Sequence, residues 1–162
     1  MPPFLAELLQ TLAGSAPAVF FRTSTFAYAS LNACHIFSIG LVIGSIAALD
    51  LRLLGLFHRF PVSALAAPLT RVAATGLYFV IVTGFLLFCV RPLAYAVNPA
   101  FLAKLTLVGL GVINALALRT SRGWALALED ELVPDSVRAA ALRSILIWAG
   151  AVFAGRWIGF LQ

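Results

Sequence analysis

Residues 26–49 run for two dozen positions without a formal charge. About 20 apolar residues in helical form cross a bilayer core. Lipid offers the backbone no hydrogen-bond partner, so such a run must satisfy itself as a helix. Three more runs have the same character. Residues 72–90 are uncharged and bracketed by Arg71 and Arg91, residues 101–118 are apolar except for Lys104, and residues 139–161 carry only Arg143 and Arg156 near their ends. Composition agrees. Of 162 residues, 62% are hydrophobic and 10% charged, whereas soluble domains run near about 45–50% and about 25%. The mean hydropathy is +1.04. A fold this small cannot hide that apolar surface internally, so the excess faces lipid. Most soluble enzyme classes, disordered chains and disulfide scaffolds are excluded, as is a large extramembrane domain.

The expected architecture is an all-α membrane protein, with four transmembrane helices in a bundle forming one domain over residues 1–162. A short interfacial helix should precede them. Phe4, Leu5, Leu8, Leu9 and Leu12 give residues 2–14 an amphipathic spacing, which Gly14 and Pro17 should end. The first basic residue is Arg22, which does not match the charged start of a cleaved signal peptide. Residues 119–138 hold four of the six acids, and Pro134 and Asp135 read as a break and cap before the fourth span.

The net charge of +5 comes from basic residues scattered singly at span ends. They read as topology signals and contacts to anionic lipid, not as a nucleic-acid surface. Arg52, Arg59, Arg71, Arg119, Arg122, Arg138 and Arg143 fall on one side; Arg22, Arg91, Lys104 and Arg156 fall on the other. The positive-inside rule then puts the first side in the cytoplasm and both termini outside, which is the periplasm in a Gram-negative cell.

The polar exceptions inside the spans are the candidates for chemistry. His35 lies about nine residues into the first span, roughly 14 Å from its outer end. Tyr28, Asn32, His35 and Ser38 fall within about 60° of one line on that helix. Two readings stay open: a buried histidine bonded across helices, or a ligand to haem, a metal or a quinone. His58 follows 23 residues later, about 34 Å along a continuous helix, and does not complete a site with His35. Lys104 and Arg156 share the outer half with His35 and suit an anion, a haem propionate or a quinone carbonyl. Asp50 should pair with Arg119, Arg122 or Arg143. Cys34 and Cys89 read as small packing residues, and with Met1 the only methionine a copper site gains little support. Gly40 and Gly44 form a small-xxx-small motif whose first expectation is close packing inside the bundle. Gly150, Gly155 and Gly159 suggest the same for the fourth helix, and Trp148 and Trp157 read first as interfacial anchors. There is no phosphate loop, metalloprotease motif or nucleophile–base set, and no paired intramembrane carboxylate.

The segments SLNACHIFSIGLVIGSIAALDLRLLGL, TRVAATGLYFVIVTGFLLF, NPAFLAKLTLVGLGVINALA and AGRWIGF, in that order, resemble a family of small bacterial inner-membrane proteins known only as a domain of unknown function. The resemblance covers nearly the whole chain. More distantly the chain is similar to copper-resistance D-type membrane proteins and HemJ-type protoporphyrinogen oxidases. These share an early histidine, a TG in the second span and a KL opening the third. The resemblance implies cofactor roles for His35 and Lys104, with haem b as the cofactor. The HemJ-type pattern has a further histidine in the third span near the position of Asn114. The functional expectation is a haem- or quinone-linked redox protein with His35 as ligand, aided by Lys104, Arg156, Tyr28 and Asn32. The alternative is a non-enzymatic accessory protein of the bacterial inner membrane, binding lipid, a second copy of itself or another membrane subunit through Gly40 and Gly44.

Overall fold

A computed structural model describes residues 2–129 and 132–161. Among them every regular element is helical: α1 Pro3–Ala13, α2 Ala16–Thr23, α3 Thr25–Leu53, α4 Val62–Val90, α5 Pro92–Ala96, α6 Pro99–Arg119, α7 Arg122–Glu129 and α8 Asp135–Trp157, then a 3-10 turn Ile158–Phe160. Helices α3, α4, α6 and the stretch Asp135–Phe160 are long and apolar enough to cross a membrane. Their order alternates direction. One end of the bundle therefore carries both chain termini (the terminal side), and the other carries the connections 54–61 and 120–134 (the loop side).

The start of α3 differs little from expectation, but α4 begins at Val62, well before the apolar run at 72. The helix continues past the hydrocarbon core through Arg71, because an exposed basic residue ends a membrane span without ending a helix. The N-terminal region also differs. Gly14 does end α1, but Pro17 lies in the first turn of α2, bent 61° from α1. Proline suits a helix start because its missing N–H would be unpaired there anyway. The sequence between Arg122 and Glu129 forms a further short helix. Pro134 breaks the chain before α8 as expected, but it stands at the N-cap itself and Asp135, expected as the cap, is the first helical residue and makes no cap bond, while Asp130 and Glu131 of the acidic stretch lie outside the described residues.

Helix α3 packs along α4, α6 along α8, and α3 along α8, whereas the backbones of α4 and α6 stay apart among the described residues and meet only through side chains near the terminal side. The bundle is thus an open arc, with α3 and α8 as floor and α4 and α6 as flanks. Its loop side is closed by Leu53, Val62, Ala66, Trp124, Val137 and Ala141, which bring α7 onto the starts of α4 and α8. The buried Arg52 secures the adjoining turn by donating from Nε to the Phe60 carbonyl at 2.6 Å. On the terminal side Phe88, Tyr95 and Phe101 stack with centroids 5.4–6.3 Å apart and bridge the tops of α4 and α6.

Candidate functional site

The buried stripe of α3 is Leu31, His35, Ser38, Val42 and Ser45. Spacings of four and three residues give a seam that keeps facing one neighbour. That neighbour is α4, and two of its glycines set the distance. A Cβ on Gly76 would stand 3.0 Å from Leu41 Cβ and 3.1 Å from the Ser38 carbonyl, and one on Gly84 would stand 3.1 Å from His35 Cε1. Gly84 therefore makes room for the imidazole.

His35 Nδ1 lies 2.8 Å from Thr83 Oγ1. The Thr83 hydroxyl donates to the Phe79 carbonyl one turn back. A hydroxyl has one proton, and here the Phe79 carbonyl takes it. Thr83 Oγ1 can then only accept, so Nδ1 carries the ring proton and donates it. This leaves Nε2 with a lone pair and no hydrogen-bond partner among the described residues. A histidine held by its other nitrogen in this way is oriented as ligand-bearing histidines are.

The open arc holds two chambers. The one nearer the terminal side is about 170 Å³ and is lined by Ile39, Leu77, Lys104, Trp148, Gly155 and Arg156, among others. His35 sits one turn from Ile39, toward the terminal side. Lys104 lies across Gly155, where an added Cβ would meet its Cδ at 3.5 Å and its Nζ at 3.8 Å. The Lys104 ammonium makes no ion pair among the described residues. Arg156 lines the same chamber and also lies over the Phe160 ring, 4.9 Å from its centroid.

Several expected roles are redistributed. Asn32 is exposed and Tyr28 is 37% exposed, so neither belongs to the seam with His35. Asn32 lies about 60° off the His35 line, enough to leave a narrow helix contact, and Tyr28 stands near the end of α3. Gly40 and Gly44 have no atom within 4 Å of an added Cβ, so they do not pack inside the bundle. The close approaches belong instead to Gly76, Gly84, Gly111 and Gly123, and Gly155 makes only ordinary contact with Lys104. Gly150 meets Leu107, while Gly159 is open. Trp148 is no interfacial anchor: it is 7% exposed at mid-span, with its indole against Gly111, whereas Trp157 is 55% exposed. Asp50 is buried without an ion pair to Arg119, Arg122 or Arg143 among the described residues. Arg143 donates instead to Asn114 Oδ1 at 3.4 Å, and Asn114 donates to the Ala140 carbonyl at 3.0 Å. Asn114 thus ties α6 to α8. Cys34 is exposed and Cys89 buried. His58 is exposed on the loop side. Thr83 and Gly84, which hold His35, were visible only as a TG dipeptide.

A family model described as a family of unknown function (DUF6644) matches residues 18–161. Neither a curated protein nor a solved structure matches the chain.

Proposed function

We propose that this chain, which belongs to that family of unknown function, is a quinone-linked redox subunit of the bacterial inner membrane. Its ring site lies between His35 and Lys104. The observation that carries this reading is the Nδ1–H of His35 held by Thr83, which leaves Nε2 as an acceptor, one turn from the chamber that Lys104 lines. A quinol hydroxyl donates to such an acceptor and a quinone carbonyl accepts from an ammonium, so the pair suits both redox forms. The gap between α4 and α6 admits a lipid-soluble tail sideways. Neither chamber, at about 170 and 200 Å³, reaches the roughly 300 Å³ at the lower end of sites for drug-sized ligands. A porphyrin therefore exceeds one chain's interior, and haem b on His35 would need a second chain to enclose it and supply the other axial ligand. The basic loop side faces the cytoplasm in this reading, and the His35 half faces the periplasm.

Protein purified in mild detergent should retain quinone that organic extraction recovers in near-equal molar amount. His35→Ala and Lys104→Ala should each lower retention about tenfold, the scale of one hydrogen bond to a charged or strongly polar group. A Soret band lost in His35→Ala would replace the quinone with haem. Absence of both quinone and haem from folded protein contradicts the redox reading.

A second reading rests on Gly40 and Gly44, which present a smooth face with none of the described residues within 4 Å of an added Cβ. In it the chain is an accessory subunit that meets a second copy or another membrane helix there. Gly44→Leu should leave the melting temperature of the isolated chain unchanged and shift the cross-linked species from dimer to monomer. An unaltered cross-linking pattern removes this reading.

A further inference from the structure

Two residues that line the chamber nearer the loop side carry polar atoms that the fold leaves unanswered. Asp50 Oδ2 and Trp148 Nε1 are buried and make no hydrogen bond among the described residues. Asp50 is 5% exposed and Trp148 7%. Both residues line one cavity of about 200 Å³, whose walls otherwise include Val42, Leu49, Leu69 and Leu77. Native folds leave few such groups, and each calls for a reason. Here one orphan is an acceptor and the other a donor, and they share a chamber.

The surroundings narrow what could answer them. Ser144 lines the same chamber as Asp50, and Asp50 Oδ2 has no partner among the described residues. Ser144 and Trp148 lie four residues apart on α8 and so share a face, while Asp50 comes from α3, so the two orphans reach the chamber from different helices. Arg119 lines the chamber from α6, and Arg143 is turned to Asn114 nearby. This positive rim disfavours a cationic guest. An ammonium would satisfy only Oδ2, and a carbonyl only Nε1. A hydroxyl donates and accepts at one atom. Water does so too, but the cavity is several times the about 30 Å³ that a liquid water occupies, and its apolar walls give a water cluster too few partners.

We propose that this chamber binds a hydroxyl-headed lipophile, a long-chain or isoprenoid alcohol, whose hydroxyl donates to Asp50 Oδ2 and accepts from Trp148 Nε1. The apolar walls take the start of its chain, and the gap between α4 and α6 lets the remainder reach the bilayer. The site goes beyond the quinone reading and does not depend on it, since His35 lines neither chamber. The carboxyl is then retained at a cost to the empty fold, as binding groups often are.

The test uses the full chain in detergent in a Trp157→Phe background, leaving Trp124 and Trp148, which both line the chamber. Three probes share a ten-carbon tail and are brominated beside the head group: decanol, decanoic acid and decyltrimethylammonium. Bromine quenches tryptophan fluorescence on contact. Saturable quenching is expected with the alcohol alone. Asp50→Leu should weaken it about tenfold while Asp50→Asn, which keeps an acceptor, stays within about threefold. The Asp50→Leu protein should also melt at a higher temperature than its parent. His35→Ala should lower quinone retention and leave alcohol binding unchanged, so the two sites fail separately. Tighter binding of the ammonium probe overturns the proposal in favour of a cation site. Equal, unsaturable quenching by all three probes shows mere micelle partition and overturns it too. So does an Asp50→Leu protein that binds the alcohol like the parent or fails to fold.

Discussion

Gly111→Leu is expected to separate α6 from α8 and to lower the melting temperature more than any other single substitution in a span. A Cβ at position 111 would stand 2.8 Å from Trp148 Cε2 and 2.9 Å from Cζ2. These are distances at which something must move. The indole is 7% exposed and could yield only by swinging into one of the two chambers it borders, which gives up its contact with α6. Overpacking a well-filled contact costs about 1–3 kcal/mol and occasionally more, and leucine adds three carbons beyond the clashing one. A loss at the upper end, about 3 kcal/mol, is the expected scale. Thermal unfolding followed by tryptophan fluorescence measures it. Gly109→Leu is the matched control: two residues away on the same helix, its added Cβ meets nothing within 4 Å, and its melting curve should overlay the parent. Equal melting of Gly111→Leu and Gly109→Leu would show that Trp148 is not wedged against α6.

Asn98→Ala should come second. Asn98 is 4% exposed and works in two directions. Its Oδ1 accepts from the Ala100 and Phe101 amides at 3.0 and 3.1 Å, capping α6 where the chain enters the bundle. Its Nδ2 donates to the Ile158 and Leu161 carbonyls at 3.4 Å, tying down the chain after α8. Losing an N-cap costs about 0.5–2 kcal/mol, and the part-buried bonds to the Ile158 and Leu161 carbonyls add about 1 kcal/mol, since the Ile158 carbonyl keeps the Leu161 amide. A total on the order of 2 kcal/mol follows. Cleavage near Phe160 by a protease should become faster in the same variant. Asn98→Asp separates the roles: it keeps the cap, so α6 should hold, but it cannot donate, so the segment after Trp157 should still loosen. Parent-like stability and protease resistance in Asn98→Ala would mean that the segment is held by other contacts.

The spans were legible because lipid forbids charge, so gaps between Arg and Lys mark them directly. The same signal misjudged where α4 starts, since a helix passes through Arg71 without a break. Pro17 misled in a related way: proline stops one helix and opens another with equal ease. The candidate site was half legible. A lone histidine amid apolar residues announced that His35 would be buried, and its depth placed it level with Lys104. Its partner Thr83, 48 residues away, could not be found from periodicity in either helix, because the pairing depends on how α3 and α4 meet. The glycines show the same limit. The motif at Gly40 and Gly44 says that a helix face is smooth, not that anything in the chain covers it. Of the faces that do make close approaches, those at Gly76 and Gly84 carry no such spacing, while Gly111 has it with Ala115. Asp50 was expected to find an arginine because buried carboxylates usually do. The fold instead turns Arg143 toward Asn114 and leaves Arg119 at the rim of the chamber.

The central claim is that His35 offers Nε2 as an acceptor, and nitrogen-15 NMR of histidine-labelled protein reads this directly. The full chain in detergent should show His35 with the proton on Nδ1, and addition of a short-chain quinol should shift the Nε2 resonance and leave that of His58 in place. A proton found on Nε2, with Nδ1 accepting from Thr83, would contradict the account, because the ring would then have no lone pair to offer a quinol.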